Sequence, residues 1–333
     1  MTNLTVVGAT TWGTTLAIIS AREGSETKIL VRSQKEATYL NNQRENTRFL
    51  PGVKIPETAI ATESLDNAFD KSEVILFAVP SHSLRQNAKT VANKIDPEAI
   101  VVSAVKGLEV GSGKRMSEIL AEELPNTDKR NICALSGPNL AMEIVKGKPS
   151  STVIASSNIE VCTKAQKLLN SKQLRIYTND DIIGVEIGGA LKNITAIAVG
   201  ISDGLQFGDN AKAAIITRGL AEIARLGESL GAKKSTFSGL AGMGDLIATC
   251  SSSLSRNNQV GRMLATGQSI QDIHKTMKNV AEGVKTTEAA ISISRATGIS
   301  MPIASSVYDV LFNGIEPTHA VSSLMERAPT SEN

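Results

Sequence analysis

Over the first 180 residues, short apolar runs alternate with longer stretches that keep their apolar residues on one helical face. The runs Leu4–Val7, Lys28–Val31, Val74–Val79, Ile100–Ala104, Ile132–Leu135 and Thr152–Ala155 are mostly apolar nearly throughout, as strands buried on both faces should be. Between them, Thr14–Glu23, Lys35–Asn42, Ser83–Lys94 and Lys114–Glu123 read as helices, and Leu174–Tyr177 adds an edge strand. This alternation predicts an α/β, doubly wound, parallel sheet with crossover helices. From residue 181 the texture changes. Strand runs disappear, and in Ala213–Leu230 the set Ile216, Leu220, Ile223, Gly227, Leu230 recurs at spacings of 4, 3, 4 and 3, one face of a helix. Asp272–Met277, Thr286–Ala296 and Ile303–Phe312 follow the same period, with Pro302 just inside the start of the last. The expectation is an α/β unit over 1–180 and an all-α unit over 181–333, with a polar, frayed tail from Ala328.

Composition narrows the function classes. With 333 residues, 41% hydrophobic and 20% charged, the chain is an ordinary globular one of about two domains. Lys plus Arg is 35 against 33 Asp plus Glu, so no bulk basic field points to nucleic acid or to an anionic membrane. Cys133, Cys162 and Cys250 are odd in number and far apart, which argues against a disulfide framework or a cysteine zinc site and for a reducing, cytoplasmic compartment. Met1–Gly8 has no basic n-region, so no signal peptide is expected, and runs such as Val74–Val79 fall far below the ~18 residues needed to cross a bilayer. Aromatics, at 3%, are too few for a stacking platform.

The segment Val6-Val7-Gly8-Ala9-Thr10-Thr11-Trp12-Gly13 lies between the first strand and the first helix. Read as G-x-G-x-x-G it keeps the first and third glycines, Gly8 and Gly13, and has Thr10 in place of the second. The first glycine makes the tight turn, the third lets helix and strand pack closely, and the second lets backbone approach a pyrophosphate. The helix N-terminus behind it offers N–H groups and a positive dipole end to phosphate. Its place at the first strand–helix junction favours a Rossmann-like cofactor turn over a plain packing turn. At the end of the second strand, where an acid would bind the NAD ribose, stands Arg32-Ser33. Arg32 is able to pair with a 2′-phosphate, which admits NADP; a solvated surface arginine is the alternative.

No H-E-x-x-H, G-x-S-x-G or Walker A sequence appears, so zinc hydrolysis, serine hydrolysis and P-loop phosphoryl transfer lack their residues. Of the histidines, His82 follows a strand and reads as an exposed loop residue, while His274 and His319 read as structural. Lysine is the stronger proton-donor candidate. Lys106 stands just past a strand at the carboxyl edge of the sheet, and Lys192-Asn193 interrupts an otherwise apolar helix. A buried lysine serves as a general acid; a lysine with its stem packed and its amine in water is the alternative. The glycine-rich stretch Gly239–Cys250 delivers Asp245 and Thr249 to a site wall or merely caps a helix, and Ser255-Arg256-Asn257 places a guanidinium at a helix start suited to phosphate.

Taken in order, these segments resemble the NAD(P)-dependent glycerol-3-phosphate dehydrogenase family of the bacterial soluble type. The resemblance runs over residues 4–325 and rests on Thr11-Trp12-Gly13-Thr14, Phe49-Leu50-Pro51-Gly52, Ala78-Val79-Pro80-Ser81, Lys106-Gly107-Leu108-Glu109, Ser136-Gly137-Pro138, Lys192-Asn193, Asp203-Gly204-Leu205, Asn210, Thr217–Glu222, Gly239–Cys250, Ser255-Arg256-Asn257 and Glu282-Gly283. It implies interconversion of dihydroxyacetone phosphate and sn-glycerol 3-phosphate with NADH or NADPH and no metal, feeding glycerophospholipid synthesis. It also implies catalytic roles for Lys192, Lys106 and Asp245, with Lys192 transferring the proton. Lys106, Gly137, Asn139, Asn193, Asp245, Thr249, Ser255, Arg256 and Asn257 match substrate positions. Gly8, Thr10, Thr11, Trp12, Gly13, Arg32, Lys106, Ala141, Arg256, Val280 and Glu282 match cofactor positions. Two residues depart from the family pattern, Thr10 for a glycine and Asn139 for a serine; the first bears on pyrophosphate approach and the second on substrate contacts near Gly137. A small phosphorylated substrate and a homodimer are the expected partners, with no nucleic acid and no membrane. Two other classes remain open on the residues alone: a related dehydrogenase of a hydroxy acid, and a non-catalytic cofactor-sensing protein.

Overall fold

The computed structural model describes residues 2–277 and 281–328. They form two compact units: Met1–Lys106 with Lys114–Glu186, and Gly107–Gly113 with Ile187–Asn333. Val280, and the tail residues 329–333, lie outside the described residues.

The first unit holds ten strands: β1 (Asn3–Val7), β2 (Glu26–Leu30), β3 (Glu45–Asn46), β4 (Leu50–Lys54), β5 (Ala59–Thr62), β6 (Val74–Phe77), β7 (Ile100–Ser103), β8 (Ile132–Ser136), β9 (Ser150–Ala155) and β10 (Leu174–Asn179). Its helices are α1 (Thr11–Arg22), α2 (Gln34–Gln43), α3 (Leu65–Phe69), α4 (Leu84–Val91), α5 (Met116–Glu123), α6 (Ala141–Val145) and α7 (Ile159–Leu169). Eight strands make one sheet in the order β10-β9-β8-β7-β6-β1-β2-β5, while β3 and β4 form a separate antiparallel pair. Alternate residues of one strand feed opposite faces. Val74 and Leu76 of β6 join a core shared with Leu16, Leu40, Ile144 and Cys162, whereas Ile75 and Phe77 join one shared with Phe69, Leu84 and Leu120. Thus α1, α2, α6 and α7 cover one face and α3, α4 and α5 the other, which is the doubly wound arrangement. Burying a side chain such as Phe77 on this sheet contributes about 1.5–3 kcal/mol.

One strand runs against the expectation of a parallel sheet. β9 pairs antiparallel with β8, with Leu135 opposite Ile154, although Leu174–Asn179 then lies parallel to β9 at the edge. The connection after β8 carries only the five-residue helix α6. A parallel return needs a crossover of a dozen or more residues, usually a full helix; α7, with eleven residues, supplies one between β9 and β10.

The helices that follow are α8 (Ile182–Gly204), α9 (Gly208–Ser229), α10 (Lys234–Phe237), α11 (Asp245–Ser251), α12 (Arg256–Ala265), α13 (Ile270–Thr276), α14 (Glu282–Thr297), α15 (Pro302–Phe312) and α16 (Pro317–Met325). No strand occurs among the described residues of the second unit. The expectation that no apolar run reaches membrane-spanning length needs correction. α8 has 23 residues and is long and apolar enough by composition, but 89% of its apolar window is buried inside the protein, so it serves as a core helix. It starts at Asp181, whose carboxylate accepts the Gly184 N–H at 2.9 Å. Further on, α8 and α12 cross backbone to backbone. A Cβ added to Gly200 would stand 2.1 Å from the Asn258 carbonyl oxygen, and one added to Gly261 would stand 2.1 Å from the Ile197 oxygen. Only glycine at both positions lets the helices approach this closely. Asp203 then ties the crossing, accepting from Arg262 and Lys212 at 2.7 Å each and from Asn258 at 3.2 Å.

A second buried carboxylate fixes the start of α15. Glu222 of α9, 4% exposed, accepts the N–H groups of Ile303 at 2.8 Å and Ala304 at 3.2 Å. Burial pushes its carboxyl up to about 7, while the two N–H donors act in the opposite sense. The folded protein therefore holds this proton more tightly than the unfolded chain does. The resulting stability is fully present below about pH 4.5 and is lost as pH rises toward 7. We expect the stability advantage of wild type over Glu222→Gln to shrink across that window by on the order of 3 kcal/mol, read from denaturant melts at several pH values. A constant difference from pH 4.5 to 8 would show that Glu222 keeps its charge in the fold.

Candidate functional site

In the first unit the polar residues gather at the carboxyl ends of the strands. β1 has β2 on one side and β6 on the other, so the strand order reverses beside it. Open α/β sheets bind ligands at such a switch point. The turn leaving β1 uses the left-handed region at Gly8, with φ of 107°, where an added Cβ would stand 2.7 Å from Val79 Cγ1. Gly13 lies so close that its Cβ would come 2.0 Å from the Gly8 oxygen. Both glycines are thus required for the turn, and the N-terminus of the twelve-residue α1 sits behind it. These are the features a dinucleotide pyrophosphate needs, and the residues present fit such a group.

Thr10 is accommodated without strain, at φ −75° and ψ 175°. Its hydroxyl accepts the Gly13 N–H at 3.1 Å, capping α1, and donates to the Ala78 carbonyl at 2.6 Å. The departure from the glycine pattern therefore provides a helix cap and a tie to the end of β6. Thr11 donates to the Phe49 carbonyl at 3.0 Å, and Trp12 packs against the core with its indole Nε1 buried and unpaired. Arg32 is exposed beyond β2. Its backbone N–H donates to Glu36 Oε2 at 3.4 Å, so an acid does stand at the end of β2 after all. The sequence signal for it was Ser33-x-x-Glu36: Ser33 caps α2 by accepting the Glu36 N–H at 3.3 Å, which sets that glutamate in the first turn of the helix beside the strand end.

Lys106, partly buried past β7, donates to the Gly137 carbonyl at 2.8 Å. Asn139 donates to Thr152 Oγ1 at 3.1 Å, while its Oδ1 and the neighbouring Ser136 hydroxyl are buried and unpaired. Ala141 opens α6. His82 is exposed.

In the second unit, Lys192 lies 6% exposed on α8. Its Nζ pairs with the carboxylate of Asp245, itself 1% exposed, and donates to Thr249 Oγ1 at 2.5 Å. The Thr249 hydroxyl in turn donates to the Asp245 main-chain carbonyl at 2.7 Å. Asp245 and Thr249 are one turn apart, on one face of α11. The wide turn Leu240–Gly244 that leads into α11 presses on α8 at Gly188, where a Cβ would stand 2.6 Å from the Ala241 oxygen. That approach brings the lysine and the aspartate together, one helical turn further along α8. An ammonium held between a carboxylate and a hydroxyl is oriented, as a proton donor must be.

A second polar chain lies beside the first. Asn257 donates to Asn193 Oδ1 at 2.9 Å and accepts the Gly283 N–H at 3.0 Å, so its amide joins α8, α12 and α14. Ser255 caps α12 by accepting the Asn258 N–H at 3.3 Å. Arg256 therefore occupies the first position of α12, where a guanidinium and the helix N–H groups both favour an anion. Crowding by protein holds the Arg256 pKa below its ordinary value, and the nearby Glu282 charge opposes this. Among the sequence candidates, the structure thus joins Lys192, Asp245 and Thr249 in one hydrogen-bonded chain and Asn193 and Asn257 in another. It places Arg256 and Glu282 at two helix starts within electrostatic reach of each other.

A glycine turn at the switch point in one unit and a buried lysine–aspartate pair in the other suit a nicotinamide-dependent oxidoreductase of small molecules. Comparison with known proteins sharpens this. The family model for the N-terminus of NAD-dependent glycerol-3-phosphate dehydrogenase matches residues 3–162, and that for its C-terminus matches residues 181–322. A glycerol-3-phosphate dehydrogenase [NAD(P)+] of Dehalococcoides mccartyi is 48% identical over 98% of this chain and 91% of its own length. One from Geobacillus thermodenitrificans is 44% identical over 100% of this chain and 97% of its own. The crystal structure of glycerol-3-phosphate dehydrogenase from Coxiella burnetii, 35% identical, superposes with a TM-score of 0.92 over 98% of this chain and 99% of that one. The chain belongs to the NAD-dependent glycerol-3-phosphate dehydrogenase family.

Proposed function

We propose that this chain interconverts dihydroxyacetone phosphate and sn-glycerol 3-phosphate, with Lys192 as the proton-transferring group. The observation that carries the reading is the buried Lys192 ammonium held by Asp245 and Thr249. Bound reduced nicotinamide supplies a hydride to the C2 carbon of the ketone. Gly8, Thr10, Thr11, Trp12 and Gly13 hold the pyrophosphate end of the dinucleotide, and Arg32 meets the adenosine end. Arg256 and the start of α12 bind the substrate phosphate, leaving the carbonyl oxygen to face Lys192. Charge developing on that oxygen is stabilised by the ammonium, which then releases its proton to it. In the reverse direction the amine recovers the proton from the hydroxyl. Asp245 and Thr249 orient Lys192, and Lys106, which donates to the Gly137 carbonyl, keeps the supporting electrostatic role that the family resemblance implies.

The test is oxidation of NADPH or NADH by dihydroxyacetone phosphate, followed at 340 nm. Turnover supports the reading. Nucleotide binding without turnover would leave a cofactor-sensing protein, and turnover only with a hydroxy or keto acid would move the chain to another dehydrogenase class. In the same assay Arg32→Asp should lower the NADPH-to-NADH ratio of kcat/KM by about tenfold, the worth of one charge-assisted phosphate contact. An unmoved ratio removes Arg32 from cofactor choice.

A further inference from the structure

The nucleotide turn is held by a residue that neither the glycine motif nor the mechanism uses. Asn46, in the short strand β3, is 4% exposed and spends its whole amide on the turn and its flanks. Its Nδ2 donates to the Ala9 carbonyl at 2.9 Å and to Thr14 Oγ1 at 2.8 Å, while its Oδ1 accepts the Phe49 N–H at 3.3 Å. Phe49 is tied back in turn, because its carbonyl accepts the Thr11 hydroxyl. Loop and turn are thus joined in a closed ring of hydrogen bonds.

We propose that Asn46 is a positioning residue for the cofactor turn, setting the direction of the Ala9–Thr10 peptide. This rests on the dehydrogenase reading of that turn. A trans peptide is planar, with its C=O and N–H pointing in opposite directions. Fixing the Ala9 oxygen on Asn46 therefore aims the Thr10 N–H the other way, beside the start of α1 where an anion binds. Ala9 belongs to neither β1 nor α1, so no strand or helix ladder fixes this peptide. Thr10 secures the opposite side of the turn through Ala78. With both anchors the turn needs no second glycine to keep its shape. Without Asn46, the buried Ala9 carbonyl loses its donor and the peptide is free to rotate.

The chain's single tryptophan, Trp12, stands two residues beyond Thr10 and reports directly on the turn. Quenching of its fluorescence by NADPH and by NADH gives Kd for wild type, Asn46→Asp and Asn46→Ala. The aspartate keeps the size and the acceptor but loses both donors. We expect Kd to rise about tenfold or more for both dinucleotides, as loss of a buried donor does. The NADPH-to-NADH ratio should stay unchanged, unlike in an Arg32 variant. At saturating cofactor, kcat and the KM for dihydroxyacetone phosphate should stay within about twofold of wild type, a split that a general loss of structure does not produce. A folded Asn46→Asp protein with wild-type Kd overturns the proposal. If both variants fail to fold, Thr14→Val, which removes only one of the acceptors of Asn46, should still raise Kd for both dinucleotides about two- to threefold; an unchanged Kd there overturns it too. Wild-type protein that binds neither dinucleotide would instead sink the cofactor reading itself, before any variant is compared.

Discussion

Replacing Lys192 with alanine lowers kcat by at least about a hundredfold, the scale of a positioned general acid. The geometry makes the loss specific. Lys192 Nζ is held by Asp245 and Thr249, whose places on α11 and whose burial leave water poor access to deliver a proton instead. The variant also strands the Asp245 carboxylate in a buried position, and breaking a buried pair costs about 3–5 kcal/mol. The double variant Lys192→Met with Asp245→Asn removes both charges and restores much of that stability without restoring turnover. Near-wild-type kcat in either folded variant would remove Lys192 from the chemistry. If Asp245 only orients the lysine, Asp245→Asn alone should leave intermediate activity whose pH profile is displaced, because the amine then loses its anionic partner.

Arg256→Ala has the second-largest expected effect, and it falls on KM. One or two charge-assisted hydrogen bonds to phosphate are worth about 1.5–3 kcal/mol each, so KM for dihydroxyacetone phosphate should rise by roughly tenfold to a hundredfold or more. Selectivity should collapse with it. Unphosphorylated dihydroxyacetone, which has nothing for the guanidinium to hold, should lose little activity in the same variant. Arg256→Lys should recover only part of the loss, since an ammonium is a point charge without the bidentate fork. Unchanged KM and unchanged selectivity would place the substrate phosphate elsewhere.

Much of the candidate site's local structure was legible in the chain because its signals are local. Gly8 and Gly13 reveal a tight turn through backbone conformation and close approach, which depend on a few residues. Ser255 reveals a helix start through its capping hydroxyl, and the structure begins α12 at Arg256. The order of short motifs carried the family, because each motif keeps its residue types at fixed spacing whatever surrounds it. Asn46 left no such mark: it reads as one more polar residue in a loop, and its role depends on a carbonyl 37 residues away.

The sequence by itself determined seven of the eight strands of the large sheet, where the glycine turn after β1 falls, and which lysine interrupts an apolar helix, while β3, β4, β5, α3, α6 and α7 carried no signal that was read. Alternation, helical period and capping act over a few residues, so these features follow from neighbours along the chain. Only the tertiary structure decided that Lys192 meets Asp245, 53 residues on, that β9 runs against β8, and that Glu222 anchors the start of α15. Each depends on how closely two elements pack and on how long a connection is, as at Gly188 and Ala241 or in the short α6, and such distances are set by side chains remote in sequence.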